Sequence, residues 1–331
     1  MASARTKAHA YFTSALQGDS DAAEWLLLSL VSRVHARHSS ALALGAISLN
    51  LALPTDLAAS RRDTLATELK TALESLRPRV RQLMLSIDAL NDEKTLFAPK
   101  VVESGGNGDE TLAGGLLQVA DGTCVLVDAL SLGEGQLTAH GVRNLERLGT
   151  AMRTRKLAYD FPFVSSPFEI DQDAKFVILS EGASLVKADA IVHVKPSEQA
   201  PVARPTEDEL TLLRDYFAQV CAPPRDGISF DITESISKVR FAALPLTQAA
   251  TDGRVQYVQD DFVRIRKDAT QRGLKPDEVL TQDDLLSRLT LARVLAVSRG
   301  MATLDEQTWD DATELDERRK ERVPPRKRTA A

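Results

Sequence analysis

Residues 113–137 read AGGLLQVADGTCVLVDALSLGEGQL, two apolar runs around a tight Ala120-Asp121-Gly122 turn. The second run, Thr123-Cys124-Val125-Leu126-Val127, is apolar on consecutive rather than alternate positions and ends in a single acid, Asp128. That pattern predicts a strand buried on both faces of a parallel sheet. An acid at the carboxyl end of such a strand is where nucleotide-hydrolysing folds hold magnesium, so ATP hydrolysis is the first chemistry to test. A phosphate loop needs GxxxxGK[ST], in which glycines let the backbone wrap the phosphates and the lysine reaches the terminal ones. No lysine in the chain follows a glycine. Beside Asp128 a second carboxylate is expected to polarise the attacking water, and Ala129 stands there instead. The stretch has the outline of a hydrolase site without its chemistry, and Asp128 is expected to cap the turn into Ser131.

Before this stretch, residues 1–20 read as an N-terminal tail. Asp21 and Glu24 then open an apolar helix with Trp25, Leu26, Leu28, Leu30, Val31 and Val34, and His35 and His38 fall on its last turn. Residues 42–53 (LALGAISLNLAL) predict a strand or strand pair ended by Pro54. Leu65, Leu69, Ala72, Leu73 and Leu76 are spaced as a helix that stops before Pro78, and residues 83–87 read as a short strand. The glycine-rich ESGGNGDE (103–110) is flanked by Glu103, Asp109 and Glu110 without a following lysine, so it reads as a turn and not as a phosphate cradle.

Beyond the central stretch, residues 141–155 predict a basic helix, and KFVILS (175–180) and AIVHV (190–194) two more compact strands. Tyr159, Phe161, Phe163 and Phe168 make an aromatic patch whose acidic setting favours core or interface packing over base stacking. Residues 21–196 thus predict an α/β layer body with a parallel sheet. A proline-rich linker follows at 197–205, then an all-α region at 206–316. There Thr206-Glu207-Asp208-Glu209 caps one helix with Leu210, Leu213, Phe217 and Val220 on a face. Residues 231–241 and 258–267 are further helix candidates, Thr281 and Gly300 bound a strong one, and Thr303 with Glu306 caps the last. Residues 317–331 are a basic tail expected to be disordered, and Arg326, Lys327 and Arg328 after two prolines fit the acidic groove of a nuclear import receptor.

A chain of 331 residues with 43% apolar and 27% charged residues can bury a substantial core. Its formal net charge of −6 argues against direct nucleic-acid binding, which needs a surplus of Lys and Arg. Cys124 and Cys221 sit far apart in apolar surroundings and read as reduced thiols. The N-terminus lacks a signal-like apolar stretch, and the run at residues 25–31 is too short to cross a bilayer, so the protein is expected to work inside the cell, without a membrane partner. HExxH, GxSxG and paired CxxC are all missing, and His9, His35, His38, His140 and His193 lack nucleophiles or metal-ligand spacing. No enzyme and no cofactor is expected.

LLLSLVSRVHAR (26–37), ISLNL (47–51), GLLQVADGT (115–123), LVDALSLGEGQL (126–137), GVRNL (141–145), YDFPF (159–163) and SEGASLVKAD (180–189) resemble, in this order, the mini-chromosome maintenance (MCM) complex-binding protein family. That family is itself similar to the ATPase half of MCM helicase subunits. The resemblance implies a degenerate AAA+ body with a helical lid: AGGLLQVADGTCVLVDAL (113–130) looks like the segment ending in the Walker B acids, here Asp128 and Ala129. KFVILSEG (175–182) is similar to a sensor strand that has lost its asparagine, Lys187 and Ala188 stand where an arginine finger is expected, and LTLARVLAVSRG (289–300) resembles the lid helix. It further implies a nuclear, non-catalytic partner of MCM subunits that acts in DNA replication, the cell cycle and sister chromatid cohesion, supporting MCM assembly and release from chromatin. Family members carry an additional N-terminal half, and this chain begins where that half would end. Contact residues expected on this reading are Leu132, Glu134, Gln136, Leu137, Tyr159, Phe161 and Phe163. The alternatives are a nucleotide-binding switch that does not hydrolyse and a scaffold on chromatin or DNA.

Overall fold

The computed structural model describes residues 2–37, 43–104, 109–162, 168–182, 184–197, 204–221, 260, 263–267, 281–301 and 304–324. The chain divides into two compact units, Thr6–Phe217 and Met1–Arg5 with Ala218–Ala331.

The elements run α1 (Ala2–Ala15), α2 (Ser20–Val31), β1 (Ala36–Arg37), β2 (Ala43–Leu44), β3 (Leu49–Leu53), α3 (Ala59–Leu76), β4 (Val80–Met84), α4 (Ile87–Asn91), β5 (Lys100–Ser104) and β6 (Asp109–Ala113). They continue with β7 (Cys124–Asp128), α5 (Ala139–Thr154), β8 (Lys156–Tyr159), β9 (Phe168–Asp171), β10 (Lys175–Glu181), β11 (Ala190–His193), α6 (Glu207–Val220), α7 (Gln282–Arg299) and α8 (Glu306–Glu321).

Within Thr6–Phe217 the main sheet has the order β11-β3-β10-β7-β4, parallel throughout. All five residues of β7 are buried, as the run of consecutive apolar positions predicts. Its neighbours β10 and β4 pair Leu179 and Met84 with Asp128, so the acid closes the strand at the carboxyl edge of the sheet. One layer of core joins Val125, Val127, Phe176 and Ile178 with Leu148 and Met152 of α5 and Phe97 and Leu117 of the loops. Helix α3 buries Leu65, Leu69, Ala72, Leu73 and Leu76, the apolar positions read from the sequence.

Several expectations shift. Residues 2–15 are helical rather than a tail, because Ala8, Phe12 and Leu16 recur every four residues and are fully buried. Asp19, not Asp21, caps α2, accepting from Ala22 N at 3.1 Å; the helix ends at Val31, so His35 lies beyond it, and His38 is outside the described residues. The strand expected at 83–87 is Val80–Met84, since the Ser86 hydroxyl accepts from Ala89 N at 3.0 Å and turns the chain into α4. The apolar run at 114–119, to which the sequence reading assigns no element, is a loop clamped on residues 96–99; a Cβ on Gly115 would lie 2.5 Å from Phe97 O. ESGGNGDE sits at the end of the antiparallel β5–β6 hairpin, with residues 105–108 outside the described ones. Helix α6 has the expected box between Thr206 and Glu209, and it buries Leu213, Tyr216 and Phe217; Phe217 meets Phe12 edge-on at 6.2 Å, which ties α6 to the sheet-bearing unit.

In the other unit α7 opens on a Thr281–Asp284 capping box and closes on Gly300 at φ 73°, both as read. Asp305 caps α8, accepting from Thr308 N at 2.8 Å, and Thr303 lies outside the described residues. Asp311 pairs with Arg299 at 2.6 Å across the two helices, and Trp309, Ala312 and Leu315 are buried. Helix α8 continues to Glu321, into the expected tail; residues 263–267 are helical, whereas 231–241 and Arg326, Lys327 and Arg328 fall outside the described residues.

Candidate functional site

The carboxyl edge of a parallel sheet is where α/β folds place their ligands, so the site is built from the ends of β3, β4, β7 and β10. Asp128 is buried there and its charge is engaged: Oδ2 accepts from Gln82 Nε2 of β4 at 3.2 Å, and Oδ1 from Leu130 N at 3.1 Å. The second bond folds the chain back two residues on, the turn-capping role read from the sequence. Ala129 donates its N–H to Leu179 O at 2.9 Å and offers only a buried methyl group.

The connection from β3 to α3 is the strand-to-helix crossing at which a phosphate loop would lie. It reads Pro54-Thr55-Asp56-Leu57-Ala58, with no glycine, one proline that lacks an N–H, and an acid. The cations of the first turn of α3 are committed elsewhere: Arg61 to Gln17 at 2.8 Å and Ser197 O at 3.1 Å, and Arg62 to Glu181 at the end of β10. Ser180 donates to Asn50 Oδ1 at 2.9 Å inside the sheet. A triphosphate would therefore meet Asp56, Asp128 and Glu181 without a free cation among these groups. Lys187 is exposed and Ala188 buried, so the segment after β10 also brings no guanidinium to this edge.

His140 Nε2 lies 3.1 Å from Thr95 O and 3.0 Å from Asn144 Nδ2, a helix-start role, and no group of three metal-ligating side chains occurs among the described residues. Desolvation pushes the buried Cys124 thiol up to about 12, which makes it inert at neutral pH. No helix among the described residues is long and apolar enough to cross a membrane.

The expected contact residues separate into two groups. Leu132 and Leu137 turn inward onto the core, leaving Glu134 and Gln136 exposed. Asn91 fixes this loop, donating to Gln136 O at 2.9 Å and accepting from Thr138 N at 2.8 Å. Tyr159, Phe161 and Phe168 do come together, with ring centroids 5.9 to 6.1 Å apart; Phe163 is outside the described residues. The sequence reading missed that the β5–β6 hairpin lies beside them. Asp160 donates to Pro99 O at 2.9 Å and accepts from Val101 N at 3.3 Å, stitching that hairpin to β8–β9. The signal was available: a glycine-rich turn between Val101-Val102 and Thr111-Leu112 is a hairpin pattern.

The family described as mini-chromosome maintenance replisome factor matches residues 1–323. The chain belongs to that family. Among replisome-factor relatives, the mini-chromosome maintenance complex-binding protein of Salmo salar is 31% identical over 330 residues, 99% of this chain and 46% of its own length. That of Arabidopsis thaliana is 32% identical over 314 residues, 95% and 46% of the two lengths, and that of Homo sapiens 29% over 317 residues, 96% and 44%. The chain thus spans less than half the length of these curated relatives.

Proposed function

We propose that this chain is a non-catalytic binding module for the MCM complex, built on a degenerate AAA+ body with a helical lid. The observation that carries the proposal is the occupied carboxyl edge. The acid that would hold magnesium caps a turn, the strand-to-helix crossing has neither glycine nor lysine, and Arg61 and Arg62 are tied to protein groups. A fold that keeps the sheet while giving up the phosphate grip retains shape, and shape is what a binding partner recognises. The names of the relatives supply the partner.

The mechanism is subunit mimicry. Ring helicases assemble head-to-tail, each subunit offering one face to the next. A domain with a subunit-like face and no phosphate lysine occupies one such interface without completing a catalytic site. By mass action it favours free and partial assemblies over the closed ring. Assembly support and release from chromatin fit this mechanism; the proposed link to sister chromatid cohesion rests on the family resemblance, and a nuclear location on Arg326, Lys327 and Arg328. The test is co-purification of the chain with purified MCM subunits, paired with calorimetric titration of the chain with Mg-ATP. The expected outcome is a stable complex with MCM and a flat nucleotide titration. Absence of a complex, or saturable ATP binding, refutes the proposal.

A further inference from the structure

We infer that the two stitched hairpins, β5–β6 and β8–β9, form the docking surface for a basic protein face with an apolar anchor; this rests on the MCM-binding reading above. Leu112, Phe168 and Ile170 are 51%, 54% and 43% exposed, and all four residues of β9 face solvent. Two large apolar side chains left in water two residues apart on one short strand, Phe168 and Ile170, mark a contact site. Phe168 is also preorganised: its ring is held at 5.9 Å against Tyr159 and 6.1 Å from Phe161, and Gln118 Nε2 fixes the Tyr159 hydroxyl at 3.3 Å. An aromatic anchor already locked in place loses little entropy on binding.

Charge selects the partner. Residues 100–113 and 156–171 each carry one lysine and three acids, and no lysine or arginine occurs from residue 101 to residue 142. On β8–β9 the acids have partners: Lys156 with Glu169 at 3.2 Å, Arg37 with Asp171 at 3.0 Å, and Arg147 with Asp160. By sequence the strands of the hairpin beside it add Glu103, Asp109 and Glu110, and Glu110 is exposed, a charge that a cationic partner complements. Nucleic acid, with its phosphates, is repelled by this surface; Lys and Arg side chains around an apolar residue complement it.

The experiment measures affinity of the chain for purified MCM subunits by biolayer interferometry across a salt series. Phe168→Ser with Ile170→Ser should weaken binding at least about tenfold, as loss of an interface anchor does. Glu110→Lys, a surface change that leaves folding intact, should weaken binding and flatten its salt dependence. Hydrogen exchange should show residues 168–171 and 109–113 protected in the complex. Parent-level affinity in these variants with the parent still binding, or no protection, overturns the inference and leaves the MCM reading standing; a parent that fails to bind overturns both. Capture of a DNA duplex by the parent that is lost in Phe168→Ser with Ile170→Ser also overturns it.

Discussion

Replacing Asp128 by alanine distinguishes a structural acid from a catalytic remnant. The change removes the acceptor of two hydrogen bonds at a buried position, from Leu130 N at 3.1 Å and Gln82 Nε2 at 3.2 Å. Gln82 is half-buried and recovers water, so most of the loss falls on the Leu130 amide and the turn it closes. A hydrogen bond to an ionised acceptor contributes about 1.5–3 kcal/mol, so the total should be about 2–4 kcal/mol. For a unit of this size that lowers the melting temperature by roughly 5–15 °C. Asp128→Asn should cost less than about 1 kcal/mol, because its Oδ1 still accepts from Leu130 N and its amide can donate to Gln82 Oε1 after that side chain rotates. Denaturant unfolding followed by Trp25 emission in a Trp309→Phe background reports on the sheet-bearing unit alone, since Trp25 is buried in α2. An acid kept under repulsion to receive a cation behaves in the opposite way, and its removal stabilises the fold. A rise in stability for either variant would falsify the turn-cap assignment.

Three further outcomes follow from the geometry. Arg155 sits at φ 53°, donates to Ala174 O at 3.1 Å and Asp189 at 3.2 Å, and lies 5.4 Å over Phe176, so Arg155→Ala and Arg155→Gly should both destabilise, with the alanine variant worse by about 1 kcal/mol in thermal melts because only glycine is at ease in the left-handed region. A Cβ on Gly141 would lie 2.3 Å from Asn91 Oδ1; Gly141→Ala should therefore loosen the 132–137 loop in hydrogen exchange, and Asn91→Ala added to it should change little more. The carboxyl of Asp316 is pushed up by burial but brought below its ordinary value by Arg319 and Lys320, and hydrogen bonds from Thr308 lower Asp305, so both pKa values are lower folded than unfolded. Their stabilisation is complete above the unfolded value near pH ~3.9 and is lost as pH falls through the folded values; Trp309 emission should show α8 unfolding below about pH 4, more gradually in Asp316→Asn.

The elements legible in the sequence were those that carry their own signal. Five buried positions in a row made β7 readable, the Leu65 to Leu76 spacing made α3 readable, and Thr281 with Gly300 bracketed α7. Elements held by contacts distant in sequence were not. Helix α1 offers Ala8 and Phe12, with Leu16 just beyond it, as a thin apolar row, and the contact with Phe217, two hundred residues away, shows what Phe12 packs against. The first apolar run is a loop because Gly115 admits the backbone of residues 97–99, a close approach that no local pattern announces.

The candidate site divides on the same line. That Asp128 stands alone is a local fact and was visible; that Gln82 satisfies it depends on β4 lying beside β7, which only the sheet order supplies. The aromatic patch was visible as composition, yet its neighbour was read as a loop, since pairing of β5–β6 with β8–β9 passes through one residue, Asp160. This distribution has a physical reason. The presence or absence of a catalytic motif is a local property, such as a lysine after a glycine or a second acid beside Asp128, whereas a surface built from separate hairpins is not. The motifs that are missing are therefore legible in short stretches, whereas the surface proposed for docking emerges only when residues 100–113 and 156–171 are brought together.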